Sequence, residues 1–176
     1  MKTNIALIGF MGTGKTAVAQ ALAKKLGRKV IELDALIEQK AGKTIPNIFK
    51  QDGEIAFREL EIAVTKEIAR EKNAVIACGG GIVLNKINID RLREGTRIVY
   101  LTASPSTILR RVAKEAGQRP LLQVDNPTQT IRELLQFRRP FYERAADIEI
   151  STSRLDINGV VAQIIEKLKA DEGFHF

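Results

Sequence analysis

Little in this chain can staple it, cage a soft metal or carry it through a membrane. Its 176 residues include one cysteine, Cys78, and one histidine, His175. A single thiol excludes an internal disulfide framework and suits a reducing, cytoplasmic setting. One Cys and one His cannot build a tetrahedral zinc site. Nor do they read as a nucleophile and its base. Cys78 ends an apolar run and reads as a small buried hydrophobe, while His175 stands in a tail that reads as frayed. Tryptophan is absent and aromatics make up 5% of the chain, which argues against a base-stacking surface for nucleic acid. No apolar stretch approaches the roughly 20 residues of a membrane span, and Met1-Lys2-Thr3-Asn4 does not open a signal peptide. Internal repeats, low-complexity tracts and linkers are missing too.

What is present is ordinary for a globular protein: 44% hydrophobic and 28% charged residues. The length fits a single domain over 1–176, large enough to bury its own core. The net charge is +7, and it is unevenly placed. Between Arg110 and Arg144 stand seven arginines and Lys114 against four acids. Such a field attracts small polyanions.

Apolar runs alternate with helical periodicity. Strands are expected at about 4–9, 29–34, 74–78, 97–102 and 147–152. Helices are expected at about 15–26, 35–42, 45–51, 54–72, 86–94, 105–115, 128–144 and 156–170. This alternation predicts an α/β fold with a parallel sheet covered on both faces. Gly27 ends the first helix. Ser104-Pro105 and Asn126-Pro127 open two others, and Asp156 caps the last.

One run carries chemistry by itself. Gly9-Phe10-Met11-Gly12-Thr13-Gly14-Lys15-Thr16 fits G-x-x-x-x-G-K-[ST]. It follows the strand run Ile5-Ala6-Leu7-Ile8 and precedes the helical pattern of Val18, Leu22 and Leu26. Strand, glycine loop and helix together read as a phosphate-binding loop. Glycines let backbone N–H groups converge on an anion, and the helix N-terminus adds partial positive charge. Lys15 can reach the outer phosphates of a nucleotide, and the Thr16 hydroxyl can ligate Mg²⁺. In open α/β sheets, ligands sit at the carboxyl ends of strands. The working groups are therefore expected from Gly9–Thr16, Glu32–Asp34 and Gly79–Gly81.

Further along, Ile48-Phe49-Lys50-Gln51-Asp52-Gly53-Glu54-Ile55-Ala56-Phe57-Arg58-Glu59-Leu60-Glu61 resembles the IF-x-x-x-GE-x-x-FR-x-x-E signature of shikimate kinases. Three more matches follow in that family's order: Gly79-Gly80-Gly81, Arg119-Pro120-Leu121-Leu122, and Arg138-Arg139-Pro140-Phe141-Tyr142 against R-x-P-x-Y. The resemblance runs from about residue 4 to 152. It implies a P-loop NTPase-type three-layer sandwich with a five-stranded parallel sheet, helices on both faces and a mobile lid. The core would be about 4–34, 73–109 and 145–172, the substrate-binding region about 34–62 and the lid about 112–126. The implied activity is ATP-dependent phosphorylation of the 3-hydroxyl of shikimate, on the way to chorismate and the aromatic amino acids. ATP and shikimate would be the partners, Mg²⁺ the cofactor and a monomer the default state, with no nucleic acid and no membrane.

The resemblance also implies roles. Gly12, Thr13, Gly14, Lys15, Thr16 and Ala17 would hold the phosphates, and Arg111 would lie against the adenine, although Arg110 beside it is equally placed by sequence. Arg119 would reach the transferring phosphate from the lid. Asp34 would bind the substrate hydroxyls and could take a proton. Arg58 and Arg138 would hold the carboxylate, and Gly79, Gly80 and Gly81 would offer it backbone N–H groups. Guanidinium forks suit a carboxylate because they are planar, always charged and bidentate. Arg139, on the same helix as Arg138, reads as a solvated charge. Taken alone, Arg58 could instead pair with Glu61 three residues on. Phe49 and Phe57 could pack the core or wall the substrate pocket. The family's Asp-x-Asp after the second strand is here Glu32-Leu33-Asp34. Thr16 and Glu32 are the metal candidates, with Glu32 one methylene longer than usual. Two other readings share the motifs: a gluconate-like hydroxy-acid kinase, and an ATP- or metabolite-binding relative weakened in catalysis.

Overall fold

In the computed structural model, residues 2–114 and 125–176 are described. Five strands, β1 (Asn4–Ile8), β2 (Lys29–Glu32), β3 (Ala74–Ala77), β4 (Thr96–Thr102) and β5 (Ile148–Ser151), form one sheet in the order β2-β3-β1-β4-β5. Every neighbouring pair is parallel. The helices are α1 (Lys15–Leu26), α2 (Leu33–Ala41), α3 (Ile45–Gln51), α4 (Gly53–Ile68), α5 (Lys86–Gly95), α6 (Pro105–Ala113), α7 (Pro127–Ala145) and α8 (Ile157–Lys169).

The period-2 geometry of a strand sorts its side chains between the two faces. Ile5, Leu7, Val75, Ala77, Val99 and Leu101 meet α1 and α8 through Val18, Leu22, Val160 and Ile164. Ala6, Ile8, Ile76, Ile98 and Tyr100 share the opposite core with Val64, Ile68, Leu92 and Tyr142 from α4, α5 and α7. Both faces are covered, so the inner strands are mainly apolar, as the three-layer expectation requires. The one polar residue of β1, the fully buried Asn4, is satisfied. Its side chain donates to Glu71 O at 2.6 Å and accepts from Ala74 N at 3.0 Å, which ties the entrance of β1 to that of β3.

The capping residues do what their positions indicated. Ser104, Asn126 and Asp156 accept from Thr107 N, Gln129 N and Gly159 N, respectively. Gly27, with φ 63°, closes α1 in the left-handed conformation. Three local features differ from the sequence reading. The helix expected over about 54–72 ends at Ile68. A 3-10 turn over Ile82–Leu84 follows the glycine run. The second strand was expected to reach residue 34, but it stops at Glu32, and α2 begins at Leu33. Leu33 is fully buried, and a carboxylate in a first helical turn is favoured by the helix dipole, so Asp34 suits a helix start better than a strand end.

This order places the site. From β1 the chain crosses to one side of the sheet, and from β3 it crosses to the other. The crevice of such a switch lies beyond the carboxyl end of β1. No helix among the described residues is long and apolar enough to cross a membrane. Arg119, the Arg119–Leu122 match and most of the expected lid lie outside the described residues.

Candidate active site

A cavity of about 710 Å³ opens at the carboxyl ends of β1 and β3. Its wall runs from Gly12–Val18 past Glu32 and Asp34 to Cys78, Gly79 and Gly80, with Arg111 and Thr152 at the other end.

The phosphate loop is shaped by main-chain conformations that side chains resist. Gly12 and Gly14 have φ 73° and 94°, both left-handed. Gly9, at φ 149°, is a close approach: a Cβ there would stand 2.4 Å from the Leu101 carbonyl oxygen, hard against β4. α1 starts at Lys15 and carries no acid of its own in its first turn. Lys15 Nζ donates to the Gly9 and Phe10 carbonyls at 2.8 and 3.0 Å and so arches over the loop. The Thr13 hydroxyl donates to Phe10 O at 2.7 Å. The loop is also tied to the far edge of the sheet. Arg111 donates to Gly12 O at 3.1 Å and to the hydroxyl and carbonyl of Thr152 at 3.0 and 2.9 Å. The buried Thr152 hydroxyl lies 3.1 Å from Thr13 O and 3.0 Å from Thr102 O, within reach to donate to either. Arg111 thus lines the cavity with its guanidinium edge engaged on main chain. Arg110 is exposed and is not part of that wall.

The longer arm of Glu32 does reach the loop. Thr16 Oγ1 donates to Glu32 Oε2 at 3.1 Å. A hydroxyl, a carboxylate and nearby Asp34 are all-oxygen donors, as Mg²⁺ prefers. Among the described residues, no three His, Cys, Asp or Glu side chains cluster as metal ligands. A site of so few protein donors suits an ion that keeps several waters.

At the other end, side chains crowd against a turn that has none. A Cβ on Gly79 would meet Asp34 Oδ1 at 2.8 Å and Glu61 Oε2 at 3.6 Å. A Cβ on Gly80 would lie 3.7 Å from an Arg138 guanidinium nitrogen. A Cβ on Gly81 would come within 2.5 and 2.6 Å of both terminal nitrogens of Arg58. Two carboxylates and two guanidinium groups therefore converge on three consecutive glycines. Arg58 also donates to Glu61 Oε1 at 3.0 Å and lies over the Phe57 ring at 5.1 Å. The local pair suggested by sequence spacing exists, and it coexists with a place in the cluster. Phe57 is buried and packs against the half-exposed Phe49 with ring centres 4.7 Å apart and planes tilted by 36°, so core and rim are joined there. Arg138 packs over Phe10 at 5.8 Å, whereas Arg139 points to solvent and pairs with Glu143 at 2.6 Å.

Glu61 is fully buried, and its Oε2 has no hydrogen-bond partner. Burial pushes its carboxyl above the usual range, and Arg58 pulls it back only in part. The spacing of Arg58 and Glu61 showed their pairing, but neither the approach of Glu61 to Gly79 nor the bond from Tyr142 to Gly80 was visible in the motifs. Thr152 left no signal at all, being one threonine after a short strand.

Cys78 is buried beneath the glycine turn, and burial pushes its thiol up to about 12. Thiolate is the reactive form. The native protein is therefore expected to resist iodoacetamide up to about pH 9 and to take one label on denaturation. Rapid stoichiometric labelling of the folded protein, read by mass spectrometry, would contradict this placement.

The family model for shikimate kinase matches residues 11–169. The shikimate kinase of Symbiobacterium thermophilum is 43% identical over 167 residues, covering 94% of this chain and 96% of that one. That of Caldanaerobacter subterraneus subsp. tengcongensis is 47% identical over 162 residues, covering 92% and 94%. Among solved structures, the shikimate kinase of Acinetobacter baumannii in complex with shikimate superposes with a TM-score of 0.91 at 37% identity, covering 98% of this chain and 96% of that one. A gluconokinase from Sinorhizobium meliloti shares the fold alone, at a TM-score of 0.56 and 18% identity.

Proposed function

This chain belongs to the shikimate kinase family, and from that premise we propose that it transfers the γ-phosphoryl group of ATP to the 3-hydroxyl of shikimate. The observation that carries the reading is the pair of guanidinium groups, Arg58 and Arg138, set against a side-chain-free turn beside the cavity of the phosphate loop. A gluconate-like kinase would share the loop, but it has only the fold-level likeness behind it.

The phosphates of ATP lie on the backbone N–H groups of Gly12–Thr16 and on the positive end of α1. Lys15 swings from the Gly9 and Phe10 carbonyls to the outer phosphates, an exchange of one set of hydrogen bonds for another. The adenine rests on the flat face of Arg111, whose edge stays on Gly12 and Thr152. Thr16 and Glu32, directly or through water, would hold Mg²⁺, which would supply charge neutralisation for the transfer. The carboxylate of shikimate is gripped by Arg58 and Arg138 together with the Gly79–Gly81 backbone. Two forks on a turn fix the ring, so its 3-hydroxyl faces the loop beside Asp34.

The hydroxyl oxygen forms its bond to the γ-phosphorus as the bond to the β-bridging oxygen breaks, and ADP leaves. The released proton goes to Asp34 or through it to water. In a loose transition state the nucleophile needs little activation, so Asp34 acts first by holding the hydroxyl in line. Arg119 belongs to this proposal through its motif, as a cation reaching the transferring phosphoryl group from the lid.

The test is ADP release on adding shikimate and Mg-ATP, with gluconate as the comparison. Turnover on shikimate alone supports the reading, and equal turnover on gluconate overturns it. Asp34→Asn is expected to lower kcat by about 100-fold with shikimate saturating, within the range of general acid–base effects. A kcat near wild type would remove Asp34 from the proton path. Because Glu32 already reaches Thr16, Glu32→Asp should leave the half-saturating Mg²⁺ concentration within about twofold. A tenfold tightening would show instead that the longer arm weakens the metal site.

A further inference from the structure

Tyr142 is the most enclosed aromatic side chain of the molecule, with none of its surface exposed, yet its hydroxyl reaches the substrate turn. The hydroxyl donates to the Gly80 carbonyl oxygen at 2.5 Å, across 62 positions of sequence. Burial pushes the phenol up to about 12 against the pull of the neighbouring Arg138, so it remains a donor throughout the working pH range. Its ring stacks on Tyr100 of β4 at 4.9 Å and 18°, which fixes the side chain to the sheet. Arg138 lies one helical turn earlier on α7, its guanidinium hydrogen-bonds the Tyr142 hydroxyl, and a Cβ on Gly80 would lie 3.7 Å from one of its nitrogens. Gly80 is thus held by Tyr142 and faced by Arg138, residues four apart on one helix face.

We propose that Tyr142 is a positioning residue for the carboxylated substrate: it anchors the Gly80 carbonyl and thereby sets the direction of the Gly81 N–H and the seat of Arg138. No peptide bond in the described chain is cis. In a planar trans peptide the carbonyl and the following N–H point in opposite directions. Fixing Gly80 C=O toward α7 therefore fixes the Gly81 N–H away from it. A glycine run has no side chain of its own to resist rotation of that peptide plane. The stacked pair Tyr100–Tyr142 supplies the rigidity that the turn lacks, and it places this constraint on the substrate end rather than on the phosphate loop.

This inference rests on the shikimate kinase reading, and the experiment separates the two. Failure of the wild type to release ADP with shikimate sinks the functional reading, whereas equal calorimetric affinity of wild type and Tyr142→Phe for shikimate sinks this one. Given wild-type turnover, Tyr142→Phe keeps the ring, the stack and the volume and removes only the hydroxyl. It is expected to raise the shikimate KM by about tenfold, the scale of one lost buried hydrogen bond, with kcat and the ATP KM within about twofold. Tyr100→Phe keeps the stack and touches no glycine, and it should leave all three constants unchanged. A shikimate KM within twofold of wild type in Tyr142→Phe overturns the proposal. So does a parallel loss in kcat, ATP KM and melting temperature, because that pattern is general loosening of the fold. Calorimetric titration of the folded Tyr142→Phe protein with shikimate alone should repeat the loss of affinity.

Discussion

The site depends on a stretch of backbone with nothing attached to it. Asp34, Glu61, Arg58 and Arg138 come from three different helices and meet at Gly79–Gly81, where an added Cβ would stand 2.8 Å from Asp34 and 2.5 Å from Arg58 and in ordinary contact with Glu61 and Arg138. The four formal charges balance. That balance lets carboxylates and guanidinium groups approach each other at the edge of a core, where an isolated charge would be costly. Glu61 is the extreme case: fully buried, raised by desolvation and held by Arg58. An incoming carboxylate meets two guanidinium groups already gathered and oriented, so little ordering remains to be done on binding.

The fold supplies the address. β1 lies in the middle of the sheet, and its carboxyl end emits the phosphate loop. β3 is its parallel neighbour and emits the glycine turn, so two main-chain cradles lie side by side. Each is braced from afar: the loop by Arg111 and Thr152 at the end of β5, the turn by Tyr142 stacked on β4. Phosphoryl transfer asks mainly for position and charge, and rigid elements supply position better than loops do.

Much of this was legible in the sequence. Five apolar runs alternating with amphipathic stretches gave the α/β class, and the caps at Ser104, Asn126 and Asp156 marked real helix starts. The ordered motifs pointed to Asp34, Arg58, Arg138 and the glycines, and the structure gathers these around one turn. The boundary at Glu32 was less visible, because Ile31, Leu33 and Leu36 satisfy strand and helix alike, and burial of Leu33 decides the matter. The strand order was not readable: a run such as Ala74-Val75-Ile76-Ala77 is apolar whichever strand lies beside it. The side-chain partnerships of Tyr142 with Gly80 and of Arg111 with Thr152 join residues 62 and 41 apart, beyond any local pattern.

Gly81→Ala tests the central constraint most directly. The backbone there has an ordinary negative φ, and the atoms displaced are the tip of the flexible Arg58 side chain, so the fold should survive. The measurement is calorimetric affinity for shikimate and, separately, for Mg-ATP. A loss of about tenfold or more for shikimate, the scale of a charge-assisted contact, with Mg-ATP affinity unchanged, is the predicted result. Unchanged shikimate affinity in the folded variant would contradict the claim that bare backbone at this turn is what lets the arginines close on the substrate.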